Sequence, residues 1–406
     1  MRSGARSGFT EPDRGSGADA GVRPTHVSPF DLIEAAVDTG GAAAALELLA
    51  RKFLAEKQYP QLFETRLMQK RAELGLPLIQ LGAIEDLPEP ARSRYEDGVR
   101  RAAREIGSLY LAGGDIPHAW PYFRAVGDRE TVAAAIESAQ PGEDMDALID
   151  IALGERVHPR KGLELVIAQH GICRAITYFE QFPTLENREA CLILLVRTLH
   201  AELAANLKRA IEHREGAAPA SNGIPELMAG RDWLFGEFDA YADTSHVINV
   251  IRFAVDLEDQ DASRLALELC EYGAHLSSQF KMRGEPPFED IYRDHAIYLH
   301  AMLGEDLDSA IEHFRAKIIG QDDPMAAIRS AQVLVGLLVR QERYREAVQI
   351  SLEHLTGIAP SQLACPTLFQ LCQLAGDSER LKELARERGD LLSFAAGAIA
   401  SLATPI

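Results

Sequence analysis

Residues 107–126, GSLYLAGGDIPHAWPYFRAV, constrain the fold of this chain more than any other stretch. They read as two short helices folded against each other. Gly107 and Tyr110 lie on the first, Gly114 and Asp115 form the turn, and Ala119 and Phe123 lie on the second. Small residues stand where the two helices cross closely, and larger ones fill the space beside them. A hairpin of that length has one apolar face and nothing of its own to set against it. It therefore requires neighbours of the same kind, and the chain is expected to be nearly all α-helix, built by stacking. Ala and Leu are abundant, both good helix formers, and period-two runs of Val, Ile, Thr and aromatics are hard to find.

Hairpins of this type recur along the chain. The first ordered segment is expected to begin near Ser28-Pro29, with Asp31 just behind, and to run through 42–54 to a turn at 56–58. Tyr59-Pro60 starts a second helix, which Gly75-Leu76-Pro77 stops. A Pro-bearing connection, 86–90, leads into the Gly107 unit, and a further helical pair lies between Arg129 and Gly154. The centre has longer helices. Residues 186–213 place Leu192, Leu195, Val196, Leu199, Leu203 and Leu207 on one stripe. A loop follows over 216–225, and then a helical stretch over 226–256, broken near 242–244. The last third returns to hairpins, turning at Gly304-Glu305, at Glu342 and at Gly376-Asp377. Four segments result: a disordered tail (1–27), N-terminal repeats (28–154), a central region of longer, irregular helices (155–290) and C-terminal repeats (291–406).

The Gly107 unit, with Ala310 and Phe314, Tyr344 and Ala347, and Leu381 and Ala385 in the C-terminal units, resembles the tetratricopeptide (TPR)-like helical-repeat proteins. Ala310, Ala347 and Leu381 recur at close to the ~34-residue period of such repeats. The second-helix aromatic is replaced at Ser351 and Ala385, and the first-helix Tyr is present only at Tyr110. The resemblance implies an α-solenoid of stacked antiparallel helix hairpins whose first helices line a concave groove for a protein or peptide partner. Arg101, Arg104 and Ser108 from the Gly107 unit, and Arg329, Gln332 and Arg340 from the Ala347 unit, would point into it. Arginine suits that task because its planar fork grips carboxylates with two parallel bonds. The Lys/Asn clamp that some members use on C-terminal carboxylates is not recognisable.

Composition narrows the partners. The formal net charge is −19, from 61 acidic and 42 basic residues. Such a surface repels phosphate backbones and anionic lipid, so nucleic acid and membrane are not the expected partners, and a basic peptide or protein is the more compatible one. The five cysteines are odd in number and form no C-x-x-C pair. They are expected to be buried thiols in a reducing, cytoplasmic setting. The tail has no apolar segment of a secretory signal, and no uncharged run approaches the ~18–20 residues that cross a bilayer.

One chemical site competes with the partner groove. Seven histidines fall between His170 and His300, where the repeat pattern is weakest. Asp239, Asp243 and His246 share one helical face, as do Glu268, Glu271 and His275. Asp290 and Asp294 are also one turn apart, beside His295. Carboxylates and imidazoles on facing helices can hold transition metals, which makes His170, His200, Asp243, His246, Glu271 and His275 candidate ligands in a metal-dependent or His-assisted enzyme. Asp243 also reads as a helix N-cap, and His200 as a hydrogen-bonded residue at the core edge. Phosphate-binding loops, G-x-G-x-x-G after a strand, G-x-S-x-G elbows, H-E-x-x-H and paired zinc cysteines are all absent from the sequence. The expected function is therefore non-enzymatic partner binding, with the metal enzyme as its alternative.

Overall fold

A computed structural model describes residues 28–139, 142, 145–182 and 187–401. The tail 1–27, and residues 402–406 of the apolar C-terminal segment, lie outside the described residues. Helices carry the described chain. Among the described residues no β-strand forms, and one isolated antiparallel bridge joins Arg283 to Asp290. The chain divides into two compact units, Met1–Val132 and Ala133–Ile406.

The first unit contains α1 (Pro29–Ala55), α2 (Tyr59–Glu73), α3 (Ala91–Ala112) and α4 (Ile116–Ala125). The division falls inside α5 (Arg129–Ser138). Ser28 caps α1, accepting from the Phe30 N–H, while Asp31 accepts from the Ser28 N–H at 3.1 Å. Gly41, at φ 67°, breaks the helix in two. Ala50, Leu62 and Ile106 form a buried core with Phe53, Tyr59, Phe63 and Tyr110 packed around it. Gly107 is required by proximity: a Cβ there would lie 2.6 Å from the Phe123 ring, so any side chain would push α3 and α4 apart.

The second unit continues through α6 (Met145–Ile149), α7 (Pro159–His170), α8 (Ile172–Gln181), α9 (Arg188–Glu215), α10 (Ile224–Met228), α11 (Thr244–Phe253) and α12 (Gln260–His275). The hairpins α13 (Ile291–Met302)/α14 (Leu307–Ile319), α15 (Pro324–Arg340)/α16 (Tyr344–His354) and α17 (Leu368–Leu374)/α18 (Ser378–Arg388) follow. The last helix, α19 (Leu391–Ala400), packs on α18 and leaves Leu391, Leu392 and Ile399 exposed. The six Leu and Val of the α9 stripe are all buried. That helix is long and apolar enough to cross a bilayer by length and composition, although charged residues such as Arg197 and Glu202 interrupt it. Core helices meet the same criterion, and half of its apolar window is buried within the fold. The expected stretch over 226–256 is not one helix. Most of residues 229–243 is irregular, with a single 3-10 turn at Asp232–Leu234, and α11 starts only at Thr244.

The tight helix-to-helix turns close in one recurring way. Asp115, Glu305, Arg343 and Asp377 donate their N–H groups to the carbonyls of Tyr110, His300, Leu338 and Cys372, five residues back, at 2.8 to 3.0 Å. Before each donor stands a left-handed residue: Gly114, Gly304, Glu342 and Gly376. This is the Schellman closure, which satisfies carbonyls that a helix end would otherwise leave bare. The turns at Lys57 and Gly127 repeat it.

Candidate functional site

A cavity of about 910 Å³ opens in the second unit, lined by α11, α13, α15 and two connections. On α15, Arg329, Gln332 or Val333, Gly336 and Arg340 line it at steps of three or four residues, and so on one helical face. On α13, Ile291, His295 and Tyr298 do the same. Ile248, Arg252 and Val255 come from the end of α11 and the turn after it. Arg283 and Phe288 come from the connection into α13, and Cys365 from the one into α17. Gly336 leaves room here: a Cβ built on it meets nothing within 4 Å.

His295 forms part of the floor and is only 2% exposed. Its ring stacks on Phe288 with centroids 4.0 Å apart, and its Nδ1–H donates back to the Ile291 carbonyl at 2.6 Å. Burial pushes its pKa down to about 4, so near neutral pH the ring is uncharged. With the proton on Nδ1, Nε2 carries a lone pair, and no partner for it is found among the described residues.

The neighbouring Asp294 holds the wall in place. Its carboxylate is 1% exposed and accepts from His313 Nε2, Lys317 Nζ and the Asp290 N–H, each at 2.9 Å. Lys317 also donates to Glu289 at 2.6 Å. Burial works against the Lys317 ammonium, but its bonds to Glu289 and Asp294 outweigh that and raise its pKa. The connection from Arg283 to Asp290 is thereby pinned to α13 and α14.

The charge of the lining runs against that of the chain. Four arginines, Arg252, Arg283, Arg329 and Arg340, face two carboxylates, Asp256 and Glu285. Arg340 is engaged structurally, donating to the carbonyls of Val255 and Asp256. Arg329 reaches only Asp323, at 3.9 Å, with both side chains largely exposed. Arg252 and Arg283 form no ion pair among the described residues.

The structure thus brings Arg329, Gln332 and Arg340 together in one groove. Gln332 also accepts from the Ala364 N–H at 2.5 Å, which ties α15 to the connection before α17. Arg101, Arg104 and Ser108 form an exposed stripe on α3 of the first unit, where Arg104 lies 3.9 Å from Asp128. The histidine candidates are otherwise occupied. His170 is half-exposed, 3.7 Å from Asp146. His200 is buried and 2.7 Å from Glu268. Burial drives the Glu268 carboxyl up, but the bonds from His200 and the Ile224 N–H outweigh it and hold the group below its ordinary range. Asp243 caps α11, accepting from the Ser245 N–H at 2.9 Å. His246 stands near Glu202, whose carboxyl burial raises. Glu271 is raised by burial and by Glu268, and its carbonyl accepts from His275 Nδ1 at 2.9 Å. Among the described residues no three His, Cys, Asp or Glu side chains gather as a metal would need. Cys173, expected to be buried, is exposed. The buried face of α8 is Ile172, Ala175, Ile176 and Phe179, and Cys173 falls beside it.

The sequence reading missed Arg252, Arg283, Phe288, His295 and Gly336 as parts of one site. Gly336 alone left a signal, as a glycine deep inside a strong helix, where it needs a packing or functional reason. The described fold is therefore an all-helical protein of packed helix pairs carrying a mixed apolar and cationic groove. No protein-family model, no curated protein and no solved structure matches the chain.

Proposed function

We propose that this protein is a non-enzymatic, TPR-like helical-repeat protein that holds an extended segment of a partner protein in the groove of its second unit. The observation that carries this reading is the composition of the groove. First helices of consecutive hairpins, α13 and α15, present an apolar floor, and Arg252 and Arg283 beside it form no ion pair among the described residues. Recurrent Schellman turns at the hairpins support the repeat architecture. A cavity of this size with a few polar groups around an apolar floor is a usual form of binding site.

Gly336 supplies the test. Because a Cβ on Gly336 meets nothing within 4 Å, the side chain of Gly336→Trp is expected to project into the groove. Peptides selected from a random library on the native protein are expected to lose binding to the Trp variant, with its thermal unfolding unchanged. Selection that enriches no sequence, or only sequences that bind both forms equally, refutes the reading.

A further inference from the structure

Resting on the groove reading above, we propose that the occupant is an acidic, Leu-type apolar segment whose carboxylates pair with Arg252, Arg283 and Arg329 while one of its backbone N–H groups donates to Nε2 of His295. Three independent observations converge on it.

The first is charge. A chain of net charge −19 has carboxylates to spare, and several arginines outside the groove use them. Arg66 pairs with Glu105, Arg231 with Glu215, and Arg343 with Asp308. In the groove, Arg252 and Arg283 have no such partner and Arg329 has only a distant one. These guanidinium groups are exposed at the groove, and a carboxylate is the group that fits their fork. A basic segment would meet four arginines against two carboxylates.

The second is His295. It is a polar side chain, almost wholly buried, that lines the cavity and has its Nδ1 face already committed to Ile291. What remains is an acceptor without a donor. That nitrogen opens onto the cavity, where an N–H or O–H of a ligand can take the place of water. An extended peptide backbone supplies one at every residue except proline.

The third is the floor. Phe288, Val333, Val339 and the open space above Gly336 accept aliphatic side chains. A phosphate backbone offers anions but no aliphatic groups for this floor, and the net charge of the chain opposes it.

The experiment uses the full chain and three fluorescein-labelled peptides that share one Leu and Gly framework and carry Glu, Gln or Lys at the remaining positions. Fluorescence polarisation is expected to show the Glu peptide binding about tenfold tighter than the Gln peptide, and the Lys peptide weakest. Combined Arg252→Gln, Arg283→Gln and Arg329→Gln changes should erase that advantage, since all three side chains are surface-accessible and not needed for folding. Val333→Glu, which places an acid on the groove wall, should weaken the Glu peptide and not the Lys peptide. His295→Phe keeps the stack on Phe288 and is expected to weaken the Glu and Gln peptides by the same factor, about fivefold, leaving their ratio unchanged. If all three peptides bind equally and all are lost in Gly336→Trp, the groove binds segments but the acidic occupant is wrong. If none binds, or binding survives Gly336→Trp, the groove reading itself fails. A single-stranded oligonucleotide that displaces the Glu peptide at equal concentration would also overturn the proposed occupant.

Discussion

His295 shows how one residue can couple stability to pH. Its ordinary pKa is 6.5, and burial lowers it to about 4 in the folded chain. Asp294 beside it favours the charged ring and Arg252 opposes it, but burial dominates. A proton therefore binds the unfolded chain more readily than the folded one. The stability gained by keeping the ring neutral is complete above about pH 6.5 and is lost as pH falls from there towards 4. On going from about pH 7 to about pH 5, the native protein should lose about 2 kcal/mol more than His295→Phe does, read by urea unfolding. Parallel losses in the two proteins would show that this ring is not the group responsible. Gly336 makes the opposite kind of contribution. It lies inside a helix with room for a side chain, so Gly336→Ala should stabilise the protein by about 1 kcal/mol while still binding peptide. A fall in the unfolding temperature of that variant would mean the open space is not there.

At the scale of elements, the shared turn makes its own prediction. Gly304 and Glu342 occupy the same left-handed position in successive hairpins, at φ 77° and 56°. Glycine holds that conformation freely, and a side chain does not. Gly304→Ala should therefore cost about 1 kcal/mol. Glu342→Gly should add roughly 0.5–1 kcal/mol, the left-handed penalty less the greater freedom of unfolded glycine. Thermal unfolding of the pair checks both signs, and equal shifts in one direction would contradict the common turn. These hairpins were legible because each depends on neighbours in sequence: small residues at the crossing, a turn pair and a helical stripe. Residues 229–243 were not legible, because distant side chains hold them. The Tyr241 N–H donates to the Tyr272 hydroxyl at 2.7 Å, and its carbonyl accepts from Asn206 at 2.6 Å. No local pattern announces a backbone satisfied by α9 and α12.

For the whole molecule, the net charge and the groove pull in opposite directions. Self-repulsion among 61 acidic and 42 basic residues should weaken as salt screens it, raising the unfolding temperature. The same salt should loosen an acidic peptide held by exposed arginines. Measured on one preparation from about 0.05 to about 0.5 M NaCl, stability should rise while affinity falls. Affinity that rose with salt would show that apolar contact alone holds the segment. The sequence by itself determined that the chain is helical and paired, because propensity, capping and apolar spacing act over a few residues. It also placed Arg329, Gln332 and Arg340 together, since one helix face is set by the helical period. Only the tertiary structure decided that Arg252, Arg283, Phe288 and His295 join them, and that His200 meets the Glu268 carboxylate and His275 the Glu271 carbonyl. The groove draws on α11, on the connection into α13 with that helix, and on α15, and only long-range packing, which leaves no period in the sequence, brings them together.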